Sequence, residues 1–353
     1  VVAFGLNGVI ALLTALSFAE MASKFPESGG TYAFSRKVLS VEAAFAVGWV
    51  VWFASIVAAM LYAIGFGYFG LVMLEDVARA IGYDPPLWAD DDGLVAFAAL
   101  GATILLTISL LRSSSGGGNW ANVGKVAVFG ILIVGGMWAI SRQPPQETRD
   151  AFRPFFSLGM MGLLQAMGYT FIALQGFDLI AAVGGEVRDP TRTIPRAMIL
   201  SLLIALLIYI PLLLVLTAVG PEPGQNIAEA AAANPEEIVA TAAMNYLGPV
   251  GYWLVIVAAV LSMFTALQAN LFAASRIALA MSRDHTLPSF MSRLSPRRIP
   301  VYAILVTSGL TALLVFLLPD VAAAGAAASL ILSLIHISEP TRLDLASRMP
   351  YSA

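Results

Sequence analysis

The 353-residue chain has no cysteine and only two histidines, His285 and His336. Without thiols there can be no disulfide framework and no thiolate metal site. The two histidines stand far apart, without the spacing a metal centre needs, so no metal site is expected. Charge is scarce as well: 12% of residues are charged, against about 25% in soluble domains. A soluble core this apolar would have too little polar surface to cover it. The net charge of −3 is small and says nothing about nucleic acid, and no nucleic-acid partner is expected. Nothing alternates at period two, so no strand is predicted. The chain opens on Val1, with neither an initiator Met nor a basic leader segment. That predicts a piece cut from within a longer gene.

What the chain does have is long apolar runs. Hydrophobic residues make up 59%, and mean hydropathy is +0.84. Runs of about 20 apolar residues are long enough to span a bilayer. They are predicted at residues 1–22, 41–74, 93–111, 122–140, 155–187, 198–219, 247–281 and 301–318, and another begins at 321. The fold class predicted is therefore all-α and polytopic, with about nine spans. The span at 41–74 is long enough to tilt or protrude, and Pro211 predicts a kink. Residues 23–37, 75–92, 141–154 and 282–300 read as loops. Residues 220–245 form an acidic, Ala-rich connection with room for a short surface helix.

Loop charge keeps its phase along the chain. One set of loops carries Lys24, Arg36, Lys37, Arg112, Lys125, Arg188, Arg192, Arg196, Arg276, Arg283, Arg293, Arg297 and Arg298. The other set carries only Arg79, Arg142, Arg149 and Arg153, amid many carboxylates. Basic loops belong on the cytoplasmic side, so the first span is expected to run inward.

One span breaks its own pattern. In FIALQGFDLIAAVGGEVRDPTRTIPRA (171–197) an apolar run stops at Gln175-Gly176-Phe177-Asp178 and then resumes. A carboxylate at membrane depth is costly, and non-helical backbone there is tolerated only against protein or a watery cavity. A broken helix frees peptide groups that can hold an ion or a zwitterion. Carbonyls near Ile172, Ala173 and Leu174 can accept from an ammonium group. Gly176 and Phe177 supply flexibility and an aromatic wall. Asp178 can contact a cationic group or cap the second half-helix. Phe171 and Phe177 can line the pocket or simply pack.

Two glycine patterns are set aside. Gly65-Phe66-Gly67-Tyr68-Phe69-Gly70 has the letters of a dinucleotide loop, but no strand precedes it. Close helix packing accounts for it better. Residues 118–125 resemble a phosphate loop with the wrong spacing, and Val126 stands where a hydroxyl is needed.

Three stretches carry a resemblance: ALSFAEMASKFPESGGTYAFSRK (15–37), the broken-helix motif, and ASRIALAMSRDHTLPSF (274–290) followed by Pro300. Together they resemble the amino acid–polyamine–organocation superfamily of permeases, over residues 1 to about 331. GFD in the break is similar to its cationic-amino-acid-transporter-like branch. The resemblance implies a LeuT-type core of ten helices in two inverted five-helix repeats, the first and sixth unwound at mid-membrane. The break here would be in the sixth helix, and the first core helix would lie before Val1, with half of the substrate site.

The resemblance also implies that Lys125, in the fifth core helix, takes the place of sodium in related transporters and couples transport to protons. Snorkelling of Lys125 to the surface stays open. Glu20, Glu186, Arg188, Arg192 and Arg276 form either an inner gate of ion pairs or a basic surface. Trp49 and Trp52 read as anchors or packing residues more readily than as pocket lining.

Residues 332–342, LSLIHISEPTR, resemble a translated sequencing adapter, and 347–353 its continuation. Residues 1–331 are then the transporter domain and 332–353 a non-native tail; a genuine amphipathic tail is the alternative. The function implied is secondary transport of an amino acid or amine across the cytoplasmic membrane. It would be coupled to a proton or to an exchanged substrate, with no cofactor and no catalytic residue. The rivals are a non-transporting amino acid sensor and a membrane-embedded enzyme.

Overall fold

The structure is a computed structural model and describes residues 1–25, 27–112, 119–153, 159–174, 176–221, 227, 231 and 237–318. Among these residues every regular element is helical. The helices are α1 (Val2–Lys24), α2 (Thr31–Val38), α3 (Val41–Ala80), α4 (Asp92–Arg112), α5 (Asn119–Arg142), α6 (Pro145–Ala151), α7 (Gly159–Phe171), α8 (Leu179–Ala182), α9 (Pro190–Val219), α10 (Ile238–Leu247), α11 (Pro249–Arg283) and α12 (Val301–Leu317).

Six helices are long and apolar enough to cross a membrane: α1, α3, α4, the 121–142 part of α5, α9 and α11. Their outward side chains fit a hydrocarbon solvent. Leu13, Phe97, Val134 and Leu207 are all exposed, which water would penalise and lipid does not. At 1.5 Å per residue, the 40-residue α3 is about 60 Å long, roughly twice the hydrocarbon thickness. It lies along α11 in the most extensive packing of the bundle, and α1 lies along α9.

The glycines of α3 pack as close contacts. A Cβ on Gly65 would sit 2.9 Å from Met263 Sδ, and one on Gly67 2.4 Å from the Val95 carbonyl. Gly65 and Gly67 therefore serve helix approach, whereas a Cβ on Gly70 would meet no described atom within 4 Å.

Several predicted boundaries move. The stretch 23–37, read as a loop, contains α2. That helix turns on Gly30 at φ 56° and buries Tyr32 and Phe34, a pattern too short for periodicity to reveal. The loop at 141–154 holds α6, and α3 runs on into the acidic stretch to Ala80. The span predicted from 198 begins at Pro190, because proline suits the first helical position, where no N–H is needed. It then continues through Pro195 and Pro211 as one 30-residue helix. The short helix expected at the surface is α10, but Ala240, Ala242 and Ala243 are buried beneath it. The stretch from 321 and the tail at 332–353 lie outside the described residues.

The two ends of the bundle differ in charge. At the acidic end buried Glu75 accepts from Ala89 N–H (2.7 Å) and from Arg79 (3.0 Å). There Tyr252 Oη also donates to Asp76 at 2.7 Å. The opposite end carries most of the Lys and Arg and is called the basic face below.

Candidate functional site

The helix break stands where expected. α7 ends at Phe171, and one 3₁₀ turn covers Ile172–Leu174. In a continuous helix Gly176 N–H would donate four residues back, to Ile172. It donates instead to Asp178 Oδ1 at 3.2 Å. Beyond the break the N–H groups of Leu179, Ile180 and Ala181 bond three residues back, to Gly176, Phe177 and Asp178. The chain then forms four-residue α8, a 3₁₀ turn at Gly184–Glu186 and a link to α9.

Gly176 has φ +109°, a region nearly closed to side chains, and a Cβ there would meet open space among the described residues. The glycine is therefore set by backbone conformation, and there is room beside it.

Asp178 occupies the N-cap position of α8 but makes no side-chain cap bond. Its carboxylate reaches back to Gly176 instead, because its own backbone is already helical at φ −67°, ψ −32°. Tyr62 of α3 lies within electrostatic range of Asp178 and of Tyr209 on α9. Phe177 is buried, with its ring edge-on to Phe18 at 6.0 Å; Phe18 in turn meets Phe34 at 6.3 Å. Leu174 is buried in the same cluster and Ala173 is half-buried. Gln175 and the side chains of Phe171 and Ile172 lie outside the described residues.

Asn7 escaped the sequence reading. Buried in α1, its Nδ2 donates to the Met167 carbonyl at 2.7 Å and to Thr170 Oγ1 at 2.9 Å. These bonds tie α1 to the turn before the break. A lone amide in an apolar run is expensive unless satisfied, and that cost was its signal.

Lys125 is half-buried and donates from Nζ to Thr265 Oγ1 on α11 at 2.6 Å. The ammonium is thus turned toward a neighbouring helix. Thr265, its partner, was also missed; nothing local marks it among the apolar residues of α11.

The basic face brings the three motifs together. The 25–30 loop docks on the far side of the break. Gly29 N–H donates to the Ala182 carbonyl at 3.1 Å, and Gly185 N–H donates to Ser28 Oγ at 3.0 Å. Cβ atoms on Gly184 and Gly185 would stand 2.9 Å from the Glu27 carbonyl and 2.6 Å from Ser28 Oγ. The paired glycines are therefore a docking surface for the loop.

Next to it, Arg276 Nε donates to Glu186 Oε1 at 2.8 Å, Nη1 donates to Ser275 Oγ at 3.0 Å, and the guanidinium lies 3.7 Å over the Phe272 ring. Arg276 is only 2% exposed, and Glu186 is 41% exposed. Arg36 pairs with Asp284, which also accepts from Tyr32 Oη at 3.0 Å. Burial pushes the Tyr32 hydroxyl above its ordinary value, and the Asp284 bond adds to the rise while the Thr286 bond opposes it. Glu20 accepts from Lys24 Nζ one turn along α1, at 3.0 Å. Trp52 is buried and donates to Thr307 Oγ1 at 3.1 Å, whereas Trp49 is exposed. Among the described residues no group of His, Cys, Asp or Glu is placed to hold a metal ion.

Among the described residues the chain is an all-helical apolar bundle with six helices long enough to cross a membrane, the make-up of a polytopic membrane protein. Residues 1–339 match the amino acid permease family, and the chain belongs to it. It is an integral, multi-pass protein of the cell membrane. It is 31% identical over 312 residues to an uncharacterized transporter of Mycobacterium tuberculosis, covering 87% of this chain and 63% of that protein. It is 28% identical to the vacuolar cationic amino acid transporter 4 of Arabidopsis thaliana, covering 91% of this chain and 53% of that one. It is 27% identical to the branched-chain amino acid permease BcaP of Bacillus subtilis, covering 90% and 67%. The chain spans less than two thirds of the length of the first two of these relatives.

Proposed function

We propose that this chain is the core of a secondary transporter that carries an amino acid or related amine across the cell membrane. One observation carries the reading: the helix is interrupted inside the bundle at Gly176, with φ +109° and open space beside it. Irregular backbone of this kind presents unpaired dipoles to a charged guest. The substrate's ammonium meets the carbonyls of Ile172, Ala173 and Leu174, with Asp178 and Tyr62 nearby. Phe171 and Phe177 wall the site, Phe177 closing it toward the basic face through Phe18 and Phe34. The architecture is two inverted repeats with about nine spans, and the basic face is cytoplasmic. The names of the relatives support the substrate class, and the motifs at 15–37, 171–197 and 274–290 support the architecture.

Lys125 is the proton-coupling group. Its bond to Thr265 supports this, because it turns the ammonium toward a neighbouring helix instead of the surface, where it can take part in the transport cycle. Glu186 and Arg276, together with Glu20 at the same end of the bundle, form the inner gate. The test is uptake of radiolabelled amino acids by the full-length protein in liposomes, with and without an inward proton gradient or a preloaded substrate. Accumulation driven by either condition supports the reading. Binding without accumulation would instead make the protein a sensor.

A further inference from the structure

The basic face holds a cleft of about 770 Å³ whose charge the gate does not use up. It lies between α2, the Gly184–Glu186 turn, the end of α11 and the 282–300 loop. Each carboxylate in its lining has a cation of its own: Glu27 with Lys37, Glu186 with Arg276 and Asp284 with Arg36. Arg283, Arg297 and Arg298 also line it, and none of them has a carboxylate partner among the described residues. Three unneutralised guanidinium groups in one concavity repel each other and raise its affinity for anions.

The backbone of one of the three, Arg298, is fixed. Arg298 has φ +60°, a conformation that is costly for a side-chain-bearing residue. It persists because the loop is pinned. Ser295 N–H donates to the Ile299 carbonyl at 2.9 Å, Arg298 N–H to the Ser295 carbonyl at 2.8 Å, and Ile299 N–H to Ser295 Oγ at 3.2 Å. Buried Ile299 and Pro300 anchor its end. Backbone strain maintained this way belongs with functional positions. Leu294 also lines the cleft, and with exposed Phe290 and Tyr302 it makes an apolar rim.

We infer that this cleft binds a phosphate group through Arg283, Arg297 and Arg298, as a guanidinium fork matches phosphate oxygens two at a time. The phosphate comes from an anionic lipid headgroup, whose chains the apolar rim would meet, or from soluble phosphate. The lipid source rests on the basic face being cytoplasmic, where anionic lipids concentrate. Bound there, the anion braces the 282–300 loop against the wall that carries the Arg276–Glu186 pair.

Native mass spectrometry of the purified full-length protein tests this. The probes are phosphatidylglycerol, diacylglycerol with the same chains, and inorganic phosphate, each with wild type and with the Arg283→Ala/Arg297→Ala/Arg298→Ala variant. All three arginines are exposed, so the variant should fold. The expected result is one phosphatidylglycerol retained by wild type, no matching diacylglycerol, and about a tenfold loss of occupancy in the variant. If inorganic phosphate alone shows the arginine dependence, the phosphate site stands with a soluble source. Occupancy by both phosphate probes that is unchanged in the variant overturns the proposal and leaves ordinary basic surface. Binding is read without transport, so its failure and a failure of the permease reading are distinguishable.

Discussion

Removing Glu186 should open the basic face, and the size of the effect follows from the burial of its partner. In Glu186→Ala the Arg276 guanidinium keeps Ser275 and the Phe272 ring but loses its only paired carboxylate among the described residues. Breaking a fully buried pair costs about 3–5 kcal/mol. Glu186 is 41% exposed, so water already screens the pair and brings the loss closer to the roughly 1 kcal/mol of surface pairs. An intermediate loss of about 2 kcal/mol corresponds to a roughly 30-fold shift of the closed-to-open ratio.

These 353 residues hold no cysteine, so a single reporter thiol can be read once any cysteine elsewhere in the full-length protein is replaced. An Ala181→Cys reporter lies on α8 at a position 1% exposed, so it reacts with a maleimide only when the face opens. Its labelling rate in the full-length protein should rise about 30-fold when Glu186→Ala is added. Adding Arg276→Met as well removes the stranded charge and should restore most of the protection. A rate within threefold of the reporter alone, or a double variant that labels as fast as Glu186→Ala, would refute the reasoning.

Other outcomes follow from the same geometry. Gly176→Ala forces a side chain into φ +109° at a cost of about 1–2 kcal/mol and crowds the break; uptake should fall at least tenfold while expression and monodispersity hold. Asn7→Leu removes both bonds from α1 to α7 and leaves Thr170 with its bond to the Ala166 carbonyl, which should cost about 1–2 kcal/mol in thermal unfolding. Lys125→Ala should abolish the response of uptake to a proton gradient while leaving substrate counterflow, as measured in liposomes at matched and unmatched pH. Tyr32 has its hydroxyl pKa raised by burial. Its contribution to stability is therefore full below the unfolded value of about 10 and is lost as pH rises through the folded value. Tyr32→Phe should flatten the fall in melting temperature above pH 10.

The break was legible because glycine and aspartate interrupt an apolar run, and membrane burial makes such an interruption conspicuous. Long helices were legible for the converse reason, since 18 or more apolar residues admit few other readings. What escaped lies in short elements and partners. α2 spans only Thr31–Val38, and its place depends on Tyr32 and Phe34 finding the bundle, which no local pattern encodes. The start of α9 at Pro190 was read as a loop because prolines punctuate it, although the first proline sits where a helix tolerates it. Thr265 and Ser28 matter through Lys125 and Gly185, whose positions only the packed bundle supplies. Asp178 was read partly as a helix cap; its carboxylate turns back to Gly176 instead.

The most direct test is a cryo-EM reconstruction of the full-length protein in nanodiscs with a transported amino acid bound. The account predicts ligand density against residues 172–178, its ammonium within hydrogen-bonding distance of the Ile172, Ala173 or Leu174 carbonyls. A continuous helix through those residues, or density lodged elsewhere in the bundle, would contradict it.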